Sequence, residues 1–269
     1  VLTSTGSGVG WEDAGGGGAS DIDGLSDCLV ENNSIWLGND PSGTTSTASY
    51  SVALGTTALD AITTGDNNTA IGYGALGANT EGSENVAVGT SALLVSTTAT
   101  NNTSIGHESM ISNTTGANNV AVGYRSLDAN TTGGSNIAIG SGNALGANTT
   151  ASNNVAIGNA ALTTNTTGAQ NVGIGTAALE ANTTAANNVS IGFQSMDANT
   201  TGASNVAVGT SSLGANTEGD YNTAVGYTAL EDCTTGYENV AVGRWSLKNV
   251  TDGYGNTGIG MNAGGAITG

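Results

Sequence analysis

Positively charged residues are almost absent from this chain. Three lysines and arginines stand against 21 aspartates and glutamates in 269 residues, which gives a formal net charge of −18. A protein that binds nucleic acid neutralises phosphates with clustered lysine and arginine, and Arg125, Arg244 and Lys248 are too few for that. We therefore expect no nucleic-acid partner and no attraction to anionic membranes.

Histidine, cysteine and long apolar runs are also scarce. His107 is the only histidine, and the two cysteines, Cys28 and Cys233, stand far apart in the sequence. These residues provide neither the four ligands of a structural zinc site nor an evident catalytic relay around His107. No apolar run approaches the length of about 18 residues that a transmembrane helix needs. The sequence thus predicts no enzyme, no catalytic residues, no cofactor, no metal site and no insertion into a membrane.

Large side chains and proline are few as well. Aromatic residues make up 4% of the chain, and Pro41 is the only proline. The 44 glycines would permit disorder, but the aliphatic residues are strictly periodic, which argues against it. Small and β-branched residues dominate instead, and these suit narrow stacked coils.

The sequence does contain a repeat of 17 residues, marked by a glycine that follows an aliphatic residue. Fixed self-similarity at a short period indicates stacked repeat units, which build a long surface rather than one deep pocket. One residue is inserted after the seventh glycine, and the period then resumes. The glycines are Gly38, Gly55, Gly72, Gly89, Gly106, Gly123, Gly140, Gly158, Gly175, Gly192, Gly209, Gly226, Gly243 and Gly260.

Each repeat unit has the residue types of a short strand followed by turns. Asparagine stands four residues before the glycine in twelve of fourteen units, and the three residues between them resemble Val86–Val88, with β-branched residues around alanine. Leucine or methionine follows four residues after the glycine, and then comes a turn such as Asn-Thr-Thr-Gly at 113–116. Helical repeats need more than about 30 residues. The sequence therefore predicts an all-β fold, a parallel β-solenoid (β-roll) of about fourteen 17-residue coils, with stacked asparagine ladders.

Alternation along each strand separates alanine from the branched residues. We expect the Val, Ile and Leu columns to fill a thin core, and the Ala column to point away from it. A stripe of small residues lets another backbone approach closely, so this stripe is the predicted contact between chains about a threefold axis. The candidate interface residues are Ala70, Ala87, Ala121, Ala138, Ala156, Ala207, Ala224 and Ala241.

The run Asn-Val-Ala-Val-Gly-x-x-Ser/Ala-Leu, over about residues 33–264, resembles the head repeats of trimeric autotransporter adhesins and the repeats of bacteriophage tail fibres. This resemblance implies a left-handed β-roll in which three chains associate side by side, although adhesin-head coils are usually shorter than the repeat found here. The segment 1–11 also looks like one common in phage fibre proteins. We expect residues 1–32 to form a connector and cap with a Gly-rich joint at 15–18, and residues 33–269 to form the solenoid.

Two sets of side chains are candidates for contact with sugars. Exposed rings can stack on saccharides, and the candidate glycan contacts are Tyr73, Tyr124, Phe193, Tyr227 and Trp245, although the same rings could cover a core edge or a seam between chains. Glu180 and Asp197 occupy the same position in successive coils, at a separation that would suit a retaining glycosidase. We interpret this pair as solvated surface, because nothing in the sequence forms a groove around it.

These observations favour a structural fibre protein, a phage tail or virion fibre shaft that takes part in attachment to the host surface. Its expected partners are two further copies of the chain, a host-surface glycan or protein, and other virion proteins. The expected location is the virion, or alternatively the cell surface or extracellular space if the chain is a bacterial adhesin or filament subunit. An ice-binding protein, suggested by paired threonines in the coils, and a glycan depolymerase are weaker alternatives.

Overall fold

The computed structural model describes residues 2–4, 9–12, 18–19, 28–31, 33–37 and 47–265, with side chains for the last two ranges. All regular elements of these residues are strands. Among them there is no helix that is long and apolar enough to cross a bilayer. The strands are β1 (Leu2–Ser4), β2 (Val9–Glu12), β3 (Gly18–Ala19), β4 (Cys28–Glu31), β5 (Ser34–Leu37), β6 (Val52–Leu54), β7 (Thr69–Ile71), β8 (Val86–Val88), β9 (Thr103–Ile105), β10 (Val120–Val122), β11 (Ile137–Ile139), β12 (Val155–Ile157), β13 (Val172–Ile174), β14 (Val189–Ile191), β15 (Val206–Val208), β16 (Thr223–Val225), β17 (Val240–Val242) and β18 (Thr257–Ile259).

Strands β5 to β18 form one parallel sheet in chain order, which confirms the predicted β-solenoid. Equivalent residues of successive coils pair, as Ala121 does with Ala138. The inserted residue does not break this register, because Ala138 still pairs with Ala156 across it. One repeat unit is therefore one coil, and the insertion is accommodated outside the strand.

The N-terminal part contributes a different kind of pairing. Strands β1, β2 and β3 form a small antiparallel sheet. Strand β4, which belongs to the segment expected to cap the solenoid, pairs antiparallel with β5 at the end of the long sheet. Residues 20–27 of that segment, and residues 15–17 of the expected Gly-rich joint, lie outside the described residues.

The alanine column lies inside the coil, so the prediction that it faces a partner chain was wrong. All eight candidate interface alanines, among them Ala70, Ala138 and Ala241, are 0% exposed and belong to the hydrophobic core. The flanking valines and isoleucines point outward and are half-buried to exposed, as in Val120–Val122. The physical reason is space: a coil of 17 residues encloses a narrow interior, and alanine fits there opposite leucine.

The leucine column fills the rest of the core, as expected, but with an unexpected backbone. Leu127, Leu179 and Leu213 are fully buried, and their φ values are 54°, 54° and 52°. This left-handed region costs a residue with a Cβ roughly 1–2 kcal/mol. The conformation turns the chain sharply while directing a large side chain inward, and its cost is offset by burial of about 1.5–3 kcal/mol for a leucine.

Two ladders of buried asparagine hold successive coils together. In the strand ladder (Asn68 to Asn256, just before each strand), the backbone N–H of Asn119 donates to Oδ1 of Asn102 at 2.9 Å. In the turn ladder, which includes Asn113 and Asn130, Nδ2 of Asn130 donates to Oδ1 of Asn113 at 2.8 Å. The ladders meet at the carbonyl of Gly116, which accepts Nδ2 of Asn102 and of Asn113, each at 2.9 Å. The ladders thereby satisfy most of the buried amides, as the sequence predicted, although Oδ1 of Asn79 has no hydrogen-bond partner among the described residues.

The periodic glycine is required by its backbone and by close stacking. Gly209 has a φ of 135°, a conformation that residues with a side chain rarely adopt. A Cβ placed there would lie 2.5 Å from the carbonyl oxygen and 2.7 Å from the carbonyl carbon of Gly226 in the next coil. The 17-residue spacing of this glycine thus records points where the backbones of successive coils leave no room for a side chain.

Candidate functional site

The outward face of the long sheet is apolar and free of charge. The first and third residues of each strand from β6 to β18 are Val, Ile, Leu or Thr, and none of these strands contains a charged residue. Several of these side chains are more than a third exposed, including Ile71, Ile105 and Ile191. Exposed apolar side chains gathered along one face are typical of interaction sites. We call this surface the Val/Ile face.

Four of the five predicted aromatic contacts directly follow a periodic glycine, and Trp245 stands one residue further along its coil. Tyr73, Tyr124, Phe193 and Tyr227 are 61%, 52%, 51% and 51% exposed, whereas Trp245 is half-buried. They do not form one continuous strip, because the intervening coils carry residues such as Thr90, Thr176 and Thr210 at this position. Only Tyr227 and Trp245 are brought together.

A first polar cluster lies where His107 and Tyr124 stack, with ring centroids 5.6 Å apart. Nε of Arg125 lies 2.8 Å from Oδ2 of Asp128 and 3.5 Å from Oε2 of Glu108. These carboxylates, Asp128 first, raise the pKa of the Arg125 guanidinium. Arg125 is therefore already neutralised by its own chain.

A second cluster forms a cleft of about 560 Å³ that spans three successive coils. Tyr227, Thr228 and Glu231 come from one coil, Arg244, Trp245, Lys248 and Asn249 from the next, and Asn262 from the third. The Cζ atom of Arg244 lies 3.6 Å from the centroid of the Trp245 ring and 5.9 Å from that of Tyr227. We call this the Arg244 cleft.

Charge in the Arg244 cleft is only partly compensated. Nζ of Lys248 lies 2.9 Å from Oε2 of Glu231, and this contact raises the pKa of Lys248. Thr228 is 4% exposed, and its hydroxyl has no hydrogen-bond partner among the described residues. The cleft thus combines a cation on an aromatic ring with several polar groups.

Sequence reasoning found the two aromatic members of this cleft and missed its cations. In the sequence alone, Arg244 and Lys248 are two of three cations that are too few to bind nucleic acid or to attract an anionic membrane. The signal that could have found them is their position: two of the three cations of the chain stand within four residues of a tryptophan. In a chain with a net charge of −18, two cations this close together in the sequence indicate a local site.

The carboxylates that the sequence placed side by side do interact. The pKa of Asp197 is raised, and burial of its carboxyl group is the largest cause. The neighbouring charge of Glu180 acts in the same direction, while backbone hydrogen bonds oppose both effects. Neither residue lines the Arg244 cleft. In the part of the chain with described side chains, no group of three or more histidine, cysteine or carboxylate residues is arranged to hold a metal ion.

The paired threonines differ in their environment. The first of most pairs is half-buried and donates its hydroxyl to the carbonyl of the threonine in the next coil, as Thr114 does to Thr131 at 3.0 Å. The second, such as Thr115, is exposed. Only one threonine column therefore presents hydroxyls to water, and Glu81, Glu218 and Asp252 interrupt it.

Comparison with protein-family models, with characterised proteins and with solved structures finds no significant match to this chain. The function is therefore inferred from the geometry of the chain itself.

Proposed function

We propose that the chain is the shaft of a fibre, most specifically a phage tail or virion fibre, and that it contributes to attachment at the host surface. The observation that carries the proposal is the uninterrupted solenoid from β5 to β18. Fourteen parallel strands at the usual strand spacing of about 4.8 Å make a rod about 65 Å long. The repeat resembles those of phage fibres, and this resemblance is the reason for proposing a phage tail or virion fibre in particular.

The proposed fibre contains three chains that pack through the Val/Ile face. An exposed, charge-free sheet surface running along the rod is suited to bury against equal surfaces of other copies. The acidic residues lie outside strands β6 to β18, so they stay exposed to water when three of these faces pack together. Their charge then repels other assemblies and keeps the fibres apart. This surface replaces the alanine stripe as the proposed contact between chains.

A bacterial adhesin or extracellular filament subunit is the alternative with the same architecture. The ice-binding alternative loses support because the hydroxyls of one threonine column are donated to neighbouring coils. A flat array for ice requires regularly spaced free hydroxyls, and the remaining exposed column is interrupted by carboxylates.

Gold-labelled antibody raised against the purified chain would test the proposal by electron microscopy of virions and of cells. We expect label on the fibres of virions. Label confined to cell surfaces would contradict the virion assignment and favour the adhesin. The control is the same antibody after absorption with the purified chain.

A further inference from the structure

The geometry points to the Arg244 cleft as a binding site for an acidic saccharide, a sugar that bears a carboxylate. This inference rests on the proposed role in surface attachment and names the class of ligand involved. It concerns the outer rim of the rod, since Tyr227 and Arg244 follow the periodic glycine that ends each strand and do not lie on the Val/Ile face.

Arg244 provides the charge that selects the ligand. Of the three cations in the chain, Arg125 and Lys248 are paired with carboxylates. Arg244 forms no ion pair with the described residues and is held by the rings of Trp245 and Tyr227. A guanidinium retains its donors when it stacks on a ring, and it binds a carboxylate through two parallel hydrogen bonds. An unpaired arginine in a strongly acidic chain is thus free to accept a carboxylate from outside.

The remaining residues of the cleft suit the rest of a sugar. The half-exposed ring of Tyr227 can pack against the apolar face of a pyranose, while Asn262 and Glu231 line the cleft with amide and carboxylate groups for hydroxyls. Asn249 offers its Oδ1 as an acceptor, because its Nδ2 donates to the carbonyl of Gly265 at 2.8 Å. Thr228 adds a buried hydroxyl that has no hydrogen-bond partner within the described part of the chain. Sites for small polar ligands combine such aromatic walls with a few polar groups that fix orientation.

The His107–Arg125 cluster shows why an arginine beside an aromatic residue does not by itself give the same site. It also has an aromatic residue and an arginine after the periodic glycine, but in the reverse order, with Tyr124 before Arg125. There, however, Asp128 and Glu108 occupy the guanidinium. Arg125 therefore serves as the matched control for Arg244.

The test is a titration of the purified full chain by calorimetry with sialyllactose, a hyaluronan tetrasaccharide and lactose. We expect at least one of the two acidic sugars to bind at least tenfold more tightly than neutral lactose. Arg244→Ala should weaken that binding at least tenfold, and Arg244→Lys should restore only part of it, because lysine cannot make the paired hydrogen bonds. Tyr227→Ala should also weaken it. Arg125→Ala and Tyr254→Ala, which change residues outside the cleft, should bind like the unmodified chain.

Absence of binding by both acidic sugars, equal binding of lactose, or an Arg244→Ala variant that binds normally would each overturn the inference. So would a fall in solution mass caused by Arg244→Ala, because the cleft would then be a contact between chains. The outcomes are separable from those of the labelling experiment. If the chain binds acidic sugars and the antibody labels only cells, the site is supported and the virion assignment is contradicted. If the antibody labels virions and neither acidic sugar binds, the virion assignment is supported and the site is contradicted.

Discussion

Replacement of Asn188 by alanine tests whether the asparagine ladders hold the coils together. Nδ2 of Asn188 donates to the carbonyl of Gly202 at 2.8 Å, and its Oδ1 accepts the backbone N–H of Asn205 at 2.9 Å. Both hydrogen bonds are lost in Asn188→Ala. The carbonyl of Gly202 keeps a donor in Nδ2 of Asn199 at 3.0 Å, but the buried amide of Asn205 loses the side-chain acceptor in the ladder.

The expected cost follows from these two losses. A net hydrogen bond contributes about 0.5–1.5 kcal/mol, and a buried donor left unsatisfied costs about 1–3 kcal/mol. Asn188→Ala should therefore lower the free energy of unfolding by roughly 2–4 kcal/mol. Asn188→Ser should cost less, because a serine at the equivalent position, Ser51, uses its Oγ to accept the N–H of Asn68 at 3.2 Å.

Urea unfolding followed by circular dichroism would measure the change, and hydrogen exchange with mass spectrometry would locate it. Faster exchange should be concentrated at Asn205 and in the adjoining coils, since repeat units interact with their nearest neighbours. Asn159→Ala, outside the ladders, is the control and should change stability by less than about 0.5 kcal/mol, because its one side-chain hydrogen bond, to the carbonyl of Ser141, is exposed and water can replace it. The proposed role of the asparagine ladder is contradicted if Asn188→Ala is as stable as this control, or if Asn188→Ser lowers the free energy of unfolding as much as Asn188→Ala does.

Three further predictions concern the core and two titrating groups. Ala207→Leu should destabilise the chain by about 1–3 kcal/mol or more in urea unfolding, because the alanine is fully buried, whereas Val206→Thr should be nearly neutral; equal effects would contradict the inward alanine column. For Asp197, burial raises the folded-state pKa above the unfolded value, so the folded state binds more protons and stability falls as pH rises through that interval. Asp197→Asn should thus stabilise the chain at pH 7 but not below the unfolded pKa, and an unchanged pH profile would count against this. Burial raises the pKa of Cys233 to about 11, so at pH 8 its thiol should react with a disulfide reagent only after unfolding; rapid reaction of Cys233 in the native chain, separated from Cys28 by peptide mapping, would refute it.

The repeat determined most of what sequence reasoning predicted correctly. The period of 17 located every strand from β6 to β18, because equivalent residues must stack in a solenoid. The asparagine ladders followed from the same periodicity, since a polar amide repeated at one position can bond to its own copies.

The direction of the strand faces was predicted wrongly for a physical reason. Alternation shows that Val120 and Val122 share one side and Ala121 the other, but it does not show which side is inside. The usual expectation that larger apolar residues are buried fails for the strand residues, because the buried leucine column leaves room beside it only for small side chains. Without that assignment, the Val/Ile face could not be recognised as the exposed one.

Other features depend on contacts that a one-dimensional pattern does not contain. The left-handed backbone of Leu127 and its equivalents opposes the intrinsic preference of leucine, so propensity could not predict it. The Arg244 cleft needs residues from three coils, and the pairing of Lys248 with Glu231 is visible only once those coils are stacked. The aromatic column was visible in the sequence, whereas the single place where it becomes a cleft was not.

The mass of the purified full chain in solution, measured by light scattering, tests the central proposal most directly. A shaft built by packing of the Val/Ile face should have three times the chain mass of 26.0 kDa. Replacing Ile137, Ile139 and Ile191 with threonine should reduce that mass, while the circular dichroism of the coils remains. A monodisperse monomer of the unmodified chain would contradict the proposed trimeric fibre and leave the exposed apolar face without its proposed role.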